Sequence, residues 1–166
     1  MEFVLKIVFV LLLAGIAVIV AHFVDLARKN PSYDSMSFRE TMDLCELPIV
    51  TFMNNGKKLN FLLDTGASKS VIHSGALEGL TYKSTNKSGD VYGMDGKRKD
   101  ASFINMSIGY RGKDYNEEFQ SIDMSVPFSN LKADFGVNLH GMLSSTFFQK
   151  YKYILNIDEL VANSMV

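Results

Sequence analysis

One stretch of this 166-residue chain has residue types and spacing that could carry chemistry: Asp64-Thr65-Gly66-Ala67-Ser68, directly after the apolar run Phe61-Leu62-Leu63. An apolar strand ending at this point delivers a single carboxylate into partly desolvated surroundings. Glycine lets the backbone come close and present its N–H, and the Thr and Ser hydroxyls can tie the loop down. Three chemistries fit such a loop. The plainest is a strand end in which Asp64 only accepts backbone hydrogen bonds. A phosphate loop of the sugar-kinase type is a second, but those folds need two large lobes around the nucleotide and this chain is too short for both. The third is a carboxylate that activates water as one member of a pair.

The rest of the composition narrows the field by exclusion. Lys and Arg total 17 against 18 Asp and Glu, a formal net charge of -1, so nothing suggests the basic face that nucleic-acid binding requires. The single cysteine, Cys45, cannot make an internal disulfide or a cysteine-based zinc cluster. Histidines stand at 22, 73 and 140, too scattered to suggest a metal site. His73 and His140 flank apolar strands and read as structural or surface residues. Asp134-Phe135-Gly136 matches a kinase triplet without its partner motifs and reads as a turn. No metal and no cofactor is expected.

These residues must be positioned by short strands. Leu47–Met53 is β-branched and apolar, and Leu59–Leu63 is apolar again. Between them Asn55-Gly56 is the strongest local signal for a type I′ hairpin, which needs positive φ at both central residues. Ser70–His73 is a short strand, Ala101–Ile108 alternates in polarity, and Tyr115–Met124 is a further strand candidate. Glycines at 89, 93 and 96 punctuate a hairpin over Gly89–Lys97. Met142–Tyr151 has helical apolar spacing, and Tyr153–Ile157 closes the chain as a strand. The fold class expected is mostly β with one short helix.

The residues before this region are of another kind. From Phe3 to Val24 only Lys6 and His22 are strongly polar, long enough to cross the hydrocarbon of a bilayer. A single uncleaved transmembrane helix is the expectation, with a cleaved signal peptide as the competitor. The expected organisation is an anchor over 1–24, a polar linker over 25–45 with a short helical piece around Ser37–Asp43, and a folded domain over 46–166. The positive-inside rule leaves the side of the membrane open.

Asp64-Thr65-Gly66-Ala67-Ser68 after Phe61-Leu62-Leu63 resembles the active-site signature of the retropepsin-like aspartic proteases, here as a membrane-anchored, bacterial-like member. Val91–Lys97 is placed where that family has its flap. His140-Gly141-Met142-Leu143-Ser144-Ser145-Thr146-Phe147-Phe148 resembles its later apolar segment and helix, and Tyr153–Asp158 the strand that follows. The similarity spans about Leu47 to Leu160, with one departure: the glycine expected after Met142-Leu143 is Ser144.

The resemblance implies an acid-protease β-barrel and an aspartic endopeptidase with Asp64 as its catalytic residue. It implies that Thr65 locks two loops together, that Gly66 sits against the dyad, that Ala67 belongs to the same active-site loop, and that Ser68 bonds within the loop. Tyr92, Gly93, Met94, Asp95 and Gly96 would form the flap over a peptide substrate. Only one Asp-Thr-Gly is present, so the second carboxylate would come from another copy of the chain in a C₂ homodimer. The expected partners are thus a second copy, a peptide or protein, and a membrane through residues 3–24, with no nucleic acid. A non-catalytic, dimerising peptide-binding module of the same fold is the alternative.

Overall fold

The computed structural model describes residues 36–92 and 98–164, together with Gly15. The folded unit that carries the Asp64 loop is Tyr33–Val166. Residues 3–24, expected as an anchor, lie outside the described set except Gly15; among the described residues no helix is long and apolar enough to cross a membrane.

The unit begins with helix α1, Phe38–Cys45. Ser37 opens it with a reciprocal capping box: its hydroxyl accepts from the Glu40 N–H, and Glu40 accepts from the Ser37 N–H. Met36, Phe38, Thr41 and Cys45 are all buried. The Thr41 hydroxyl takes the Ile49 N–H at 3.0 Å, and the Thr51 N–H bonds the Met36 carbonyl at 3.0 Å. Residues 36–45, expected as linker, are therefore built into the fold. Their apolar side chains are too few to show a period, and burial comes from elements that follow.

Strands β1 (Ile49–Asn54) and β2 (Lys57–Asp64) form the expected hairpin, with Asn55 at φ 45° and Gly56 at φ 82°. After β3 (Val71–His73) and a single 3₁₀ turn come β4 (Lys83–Tyr92), β5 (Arg98–Tyr110) and β6 (Lys113–Ile122). Helix α2 spans Ser125–Phe135, β7 Gly141–Ser144, helix α3 Ser145–Tyr151, and the chain ends in β8 (Tyr153–Asn156) and β9 (Val161–Ser164).

Seven strands form one sheet in the order β1-β2-β7-β3-β6-β5-β4. An added β1–β5 contact, Met53 opposite Gly109, closes six of them into a barrel with β4 paired outside. β7 runs parallel to β2, and β3 parallel to β6. The main core inside is aromatic: Phe52, Phe61, Phe119 and Phe147 are fully buried, and Phe61 stacks on Phe119 at 5.5 Å. A second core under α1 and α2 gathers Ile49, Phe128, Val137 and Leu139. Gly141 sits where the sheet is tightest: a Cβ there would stand 2.3 Å from the Val71 carbonyl oxygen.

Three expectations need correction. Met142–Ser144 is strand rather than helix, because it pairs in parallel with β2 and is covered on both faces; a short buried apolar run looks the same in either state. Among the described residues there are three α-helices: α1 at the piece expected around Ser37–Asp43, α3 within Met142–Tyr151, and α2, which was not expected. α2 escapes notice because Pro127 sits in its first turn, where proline is tolerated, and its only buried residue is Phe128. Finally, Tyr153–Asn156 does not close the chain, since β9 returns beside it. Asp134-Phe135-Gly136 is the end of α2, with Gly136 in the left-handed cap at φ 71°.

Candidate active site

Asp64 is the last residue of β2, half-buried, with Ser144 of β7 beside it in the parallel register. Its face of the strand follows from alternation. Leu59, Phe61 and Leu63 enter the main core, so Asn60, Leu62 and Asp64 emerge on the opposite side. One carboxylate oxygen, Oδ1, accepts the Gly66 N–H at 2.8 Å. Among the described residues Oδ2 has no hydrogen-bond partner. A Cβ on Gly66 would lie 3.2 Å from Oδ1, a close approach that glycine avoids where this N–H meets the carboxylate.

The loop is held from below by the start of α3. The Ala67 carbonyl accepts both the Ser145 N–H and the Ser145 hydroxyl, each at 2.9 Å. The Ser68 carbonyl accepts the Thr146 hydroxyl at 3.2 Å. Thr65 and Ser68 are exposed, and Ser68 contributes its carbonyl to the loop, with no hydrogen bond from its hydroxyl among the described residues.

Beneath the loop runs a chain of oxygens, buried except at Thr146. Glu117, on β6, accepts from Ser70 at 2.9 Å; Ser70 and Ser144 stand 3.2 Å apart; Ser144 and Thr146 are 2.7 Å apart. The Ser144 N–H also bonds Ser70, at 3.3 Å, and Lys150 bonds the far oxygen of Glu117 at 3.3 Å. Ser144, at the position where glycine was expected, is fully buried with its hydroxyl satisfied. Among the described residues no buried side-chain nitrogen or oxygen lacks a partner. Sequence reasoning does not reach this network, because Ser70 lies 47 residues from Glu117 and 74 from Ser144. The only local signal is the run Ser144-Ser145-Thr146 before Phe147-Phe148.

Of the expected flap, β4 and β5 pair up to Tyr92 opposite Arg98. Gly93, Met94, Asp95 and Gly96 lie outside the described residues, and so does everything about the Tyr92 side chain. Among the described residues no three His, Cys, Asp or Glu side chains stand together as metal ligands. Cys45 is buried beside Thr41, away from any surface on which it could cross-link two copies.

Comparison with known proteins agrees with this geometry. Residues 50–109, which include the β1–β2 hairpin and the whole Asp64 loop, match the aspartyl protease family. Among solved structures, the EIAV protease complexed with the inhibitor HBY-793 is similar over 69% of this chain and 97% of its own, with 21% identity and a TM-score of 0.52. The retroviral protease-like domain of Ddi1 from Leishmania major is similar over 72% and 88%, with 12% identity and a TM-score of 0.53. No curated protein matches the chain in sequence. The closed barrel, with a carboxylate loop at the end of β2, is the retropepsin-like fold. The fold is thus that of the retropepsin-like proteins, and the segment that builds the Asp64 loop matches the aspartyl protease family model.

Proposed function

We propose that this protein is an aspartic endopeptidase that works as a membrane-tethered homodimer. The observation that carries the proposal is the Asp64 carboxylate, fixed through Oδ1 by the Gly66 N–H and without a partner at Oδ2 among the described residues. With one Asp-Thr-Gly per chain, two Asp64 side chains facing each other across a two-fold axis make the catalytic pair. Two carboxylates that close share a proton, because both cannot stay ionised. The ionised member takes a proton from the attacking water. The protonated member polarises the scissile carbonyl, and the two pKa values belong to the pair. Water and two carboxyls suffice, so the reaction calls on no cofactor.

The remaining roles are those that the family resemblance implies. Thr65 holds the two loops together across the axis, Gly66 lies against the dyad, and the Ala67 and Ser68 carbonyls fix the loop to α3. Tyr92, Gly93, Met94, Asp95 and Gly96 close over an extended peptide bound largely by strand addition. Residues 3–24 anchor the chain in a single pass. Confinement to one membrane raises the effective concentration of the second copy, which favours a weak dimer.

The test is cleavage of a peptide library by the full-length chain in detergent micelles. Asp64→Asn is expected to lower turnover by about 10²–10⁴-fold, the usual worth of a positioned acid–base group, with the dimer intact by sedimentation. Turnover that survives the substitution moves the chemistry to other residues. Peptide binding by the native chain without cleavage would instead establish the non-catalytic module.

A further inference from the structure

A second site lies at the opposite end of β2 from Asp64, where His73 and His140 come together. β3 and β7 are antiparallel, with Val71 opposite Met142 and Ile72 opposite Gly141, so the next pair in register is His73 and His140. The His73 N–H bonds the His140 carbonyl at 2.8 Å. Side chains at such a pair stand on one face, a few ångströms apart. Both line an open cleft of about 550 Å³ whose wall also includes Lys57, Lys58, Gly75 and Glu78.

The hydrogen bonds fix what the two rings can do. Nδ1 of His140 accepts the Asn60 N–H at 3.0 Å, and Nδ1 of His73 accepts the Met124 N–H at 3.1 Å. A nitrogen that accepts carries no hydrogen, so in each neutral ring the hydrogen is on Nε2. Both rings are then donors through Nε2. Neither is set up as a base or as an ordinary metal ligand through that atom, since ligation there would strip the ring of both protons. Among the described residues neither Nε2 has a hydrogen-bond partner.

Gly75 points the same way. Its backbone does not need glycine for a positive φ, yet a Cβ there would stand 2.7 Å from Nε2 of His73. The missing side chain leaves that N–H uncovered on the cleft side. Lys57 bonds the Glu78 carbonyl at 3.0 Å at the rim, and Lys58 is exposed beside it. Two fixed N–H donors with two ammonium groups at the edge suit a compact oxyanion, against Glu78 in the wall and the Asp123 carboxylate 3.7 Å from Nδ1 of His73, on the side away from Nε2.

We propose that this cleft binds a compact oxyanion, a carboxylate or a phosphate, between the Nε2–H groups of His73 and His140. The site depends neither on the Asp64 dyad nor on dimerisation. Titration of the full-length chain in detergent micelles with inorganic phosphate, and separately with N-acetylglutamate, is followed by imidazole nitrogen NMR shifts. Saturable shifts of both rings are expected, and the tighter of the two probes identifies the source as free phosphate or peptide carboxylate. Asparagine places an acceptor where Nδ1 stands but has no counterpart of Nε2–H. His73→Asn with His140→Asn should therefore weaken binding at least tenfold while the thermal midpoint stays within a few degrees. Gly75→Ala, which covers one donor and leaves both rings, should weaken it by several-fold. Absence of saturation with both probes overturns the proposal. So does binding unchanged by the histidine pair, which would mark an adventitious ion on the lysines only.

Discussion

The two faces of β2 are held by different physics. Leu59, Phe61 and Leu63 disappear into an aromatic interior where shape and apolarity decide. Asn60 and Asp64 on the other face are held by directional bonds: the Asn60 side chain bridges Thr51 at 2.6 Å and the Asn138 carbonyl at 2.9 Å, and Asp64 takes the Gly66 N–H. A single strand thus carries a face that tolerates any close-packed apolar set and a face on which atom positions matter. Stability and chemistry can be perturbed separately.

Substitutions on either face would break or sharpen that contrast. The largest change in stability is expected from Phe61→Ala, which removes a fully buried ring stacked on Phe119. It should cost about 3–5 kcal/mol in chemical denaturation, while any turnover measured under native conditions falls only with the folded fraction. Asp64→Asn is its mirror image, with turnover lost and stability nearly kept. Ser144→Ala, on the neighbouring strand β7, removes an inner hydroxyl of the Glu117–Ser70–Ser144–Thr146 chain. About 1 kcal/mol should be lost, and amide exchange at Gly66 to Ser68 should quicken more than in the barrel strands. Equal quickening everywhere would mean that the chain of oxygens does not anchor the loop.

The smallest effect is one of pH. Burial, with a smaller contribution from His73, holds the His140 imidazole below its ordinary value of 6.5. The unfolded chain then takes up the proton more readily than the folded one. The contribution is therefore absent above about pH 6.5 and appears as a loss of stability when the pH falls below it. Denaturation at pH 7.5 and pH 5 should show that slope, and His140→Asn, which keeps an acceptor for the Asn60 N–H, should flatten it. An unchanged slope would place the acid sensitivity elsewhere.

Much of the fold is local enough to be legible along the chain. Asn55-Gly56 specifies its hairpin, because positive φ at two successive residues is a property of those residues. The same holds for the Ser37 capping box, although the burial of its helix does not show in 36–45 alone. Met142–Ser144 was open to misassignment, since so short a run has no period; its strand state comes from β2 and β3 on either side. His73 and His140 look unrelated in a linear reading, and only the antiparallel register of β3 with β7 makes them a pair.

The sequence by itself determined the chemistry available: one carboxylate after an apolar strand, a glycine able to bring its N–H to it, and a single copy of that motif. Tertiary structure decided which other atoms meet that loop. Ser145 and Thr146 reach its carbonyls, and Glu117, Ser70 and Ser144 lie beneath, because β2 and β7 run parallel with Asp64 level with Ser144. Residue types and turn angles are set by each residue and its near neighbours, whereas strand register is fixed by packing the whole barrel, which no short stretch of chain contains.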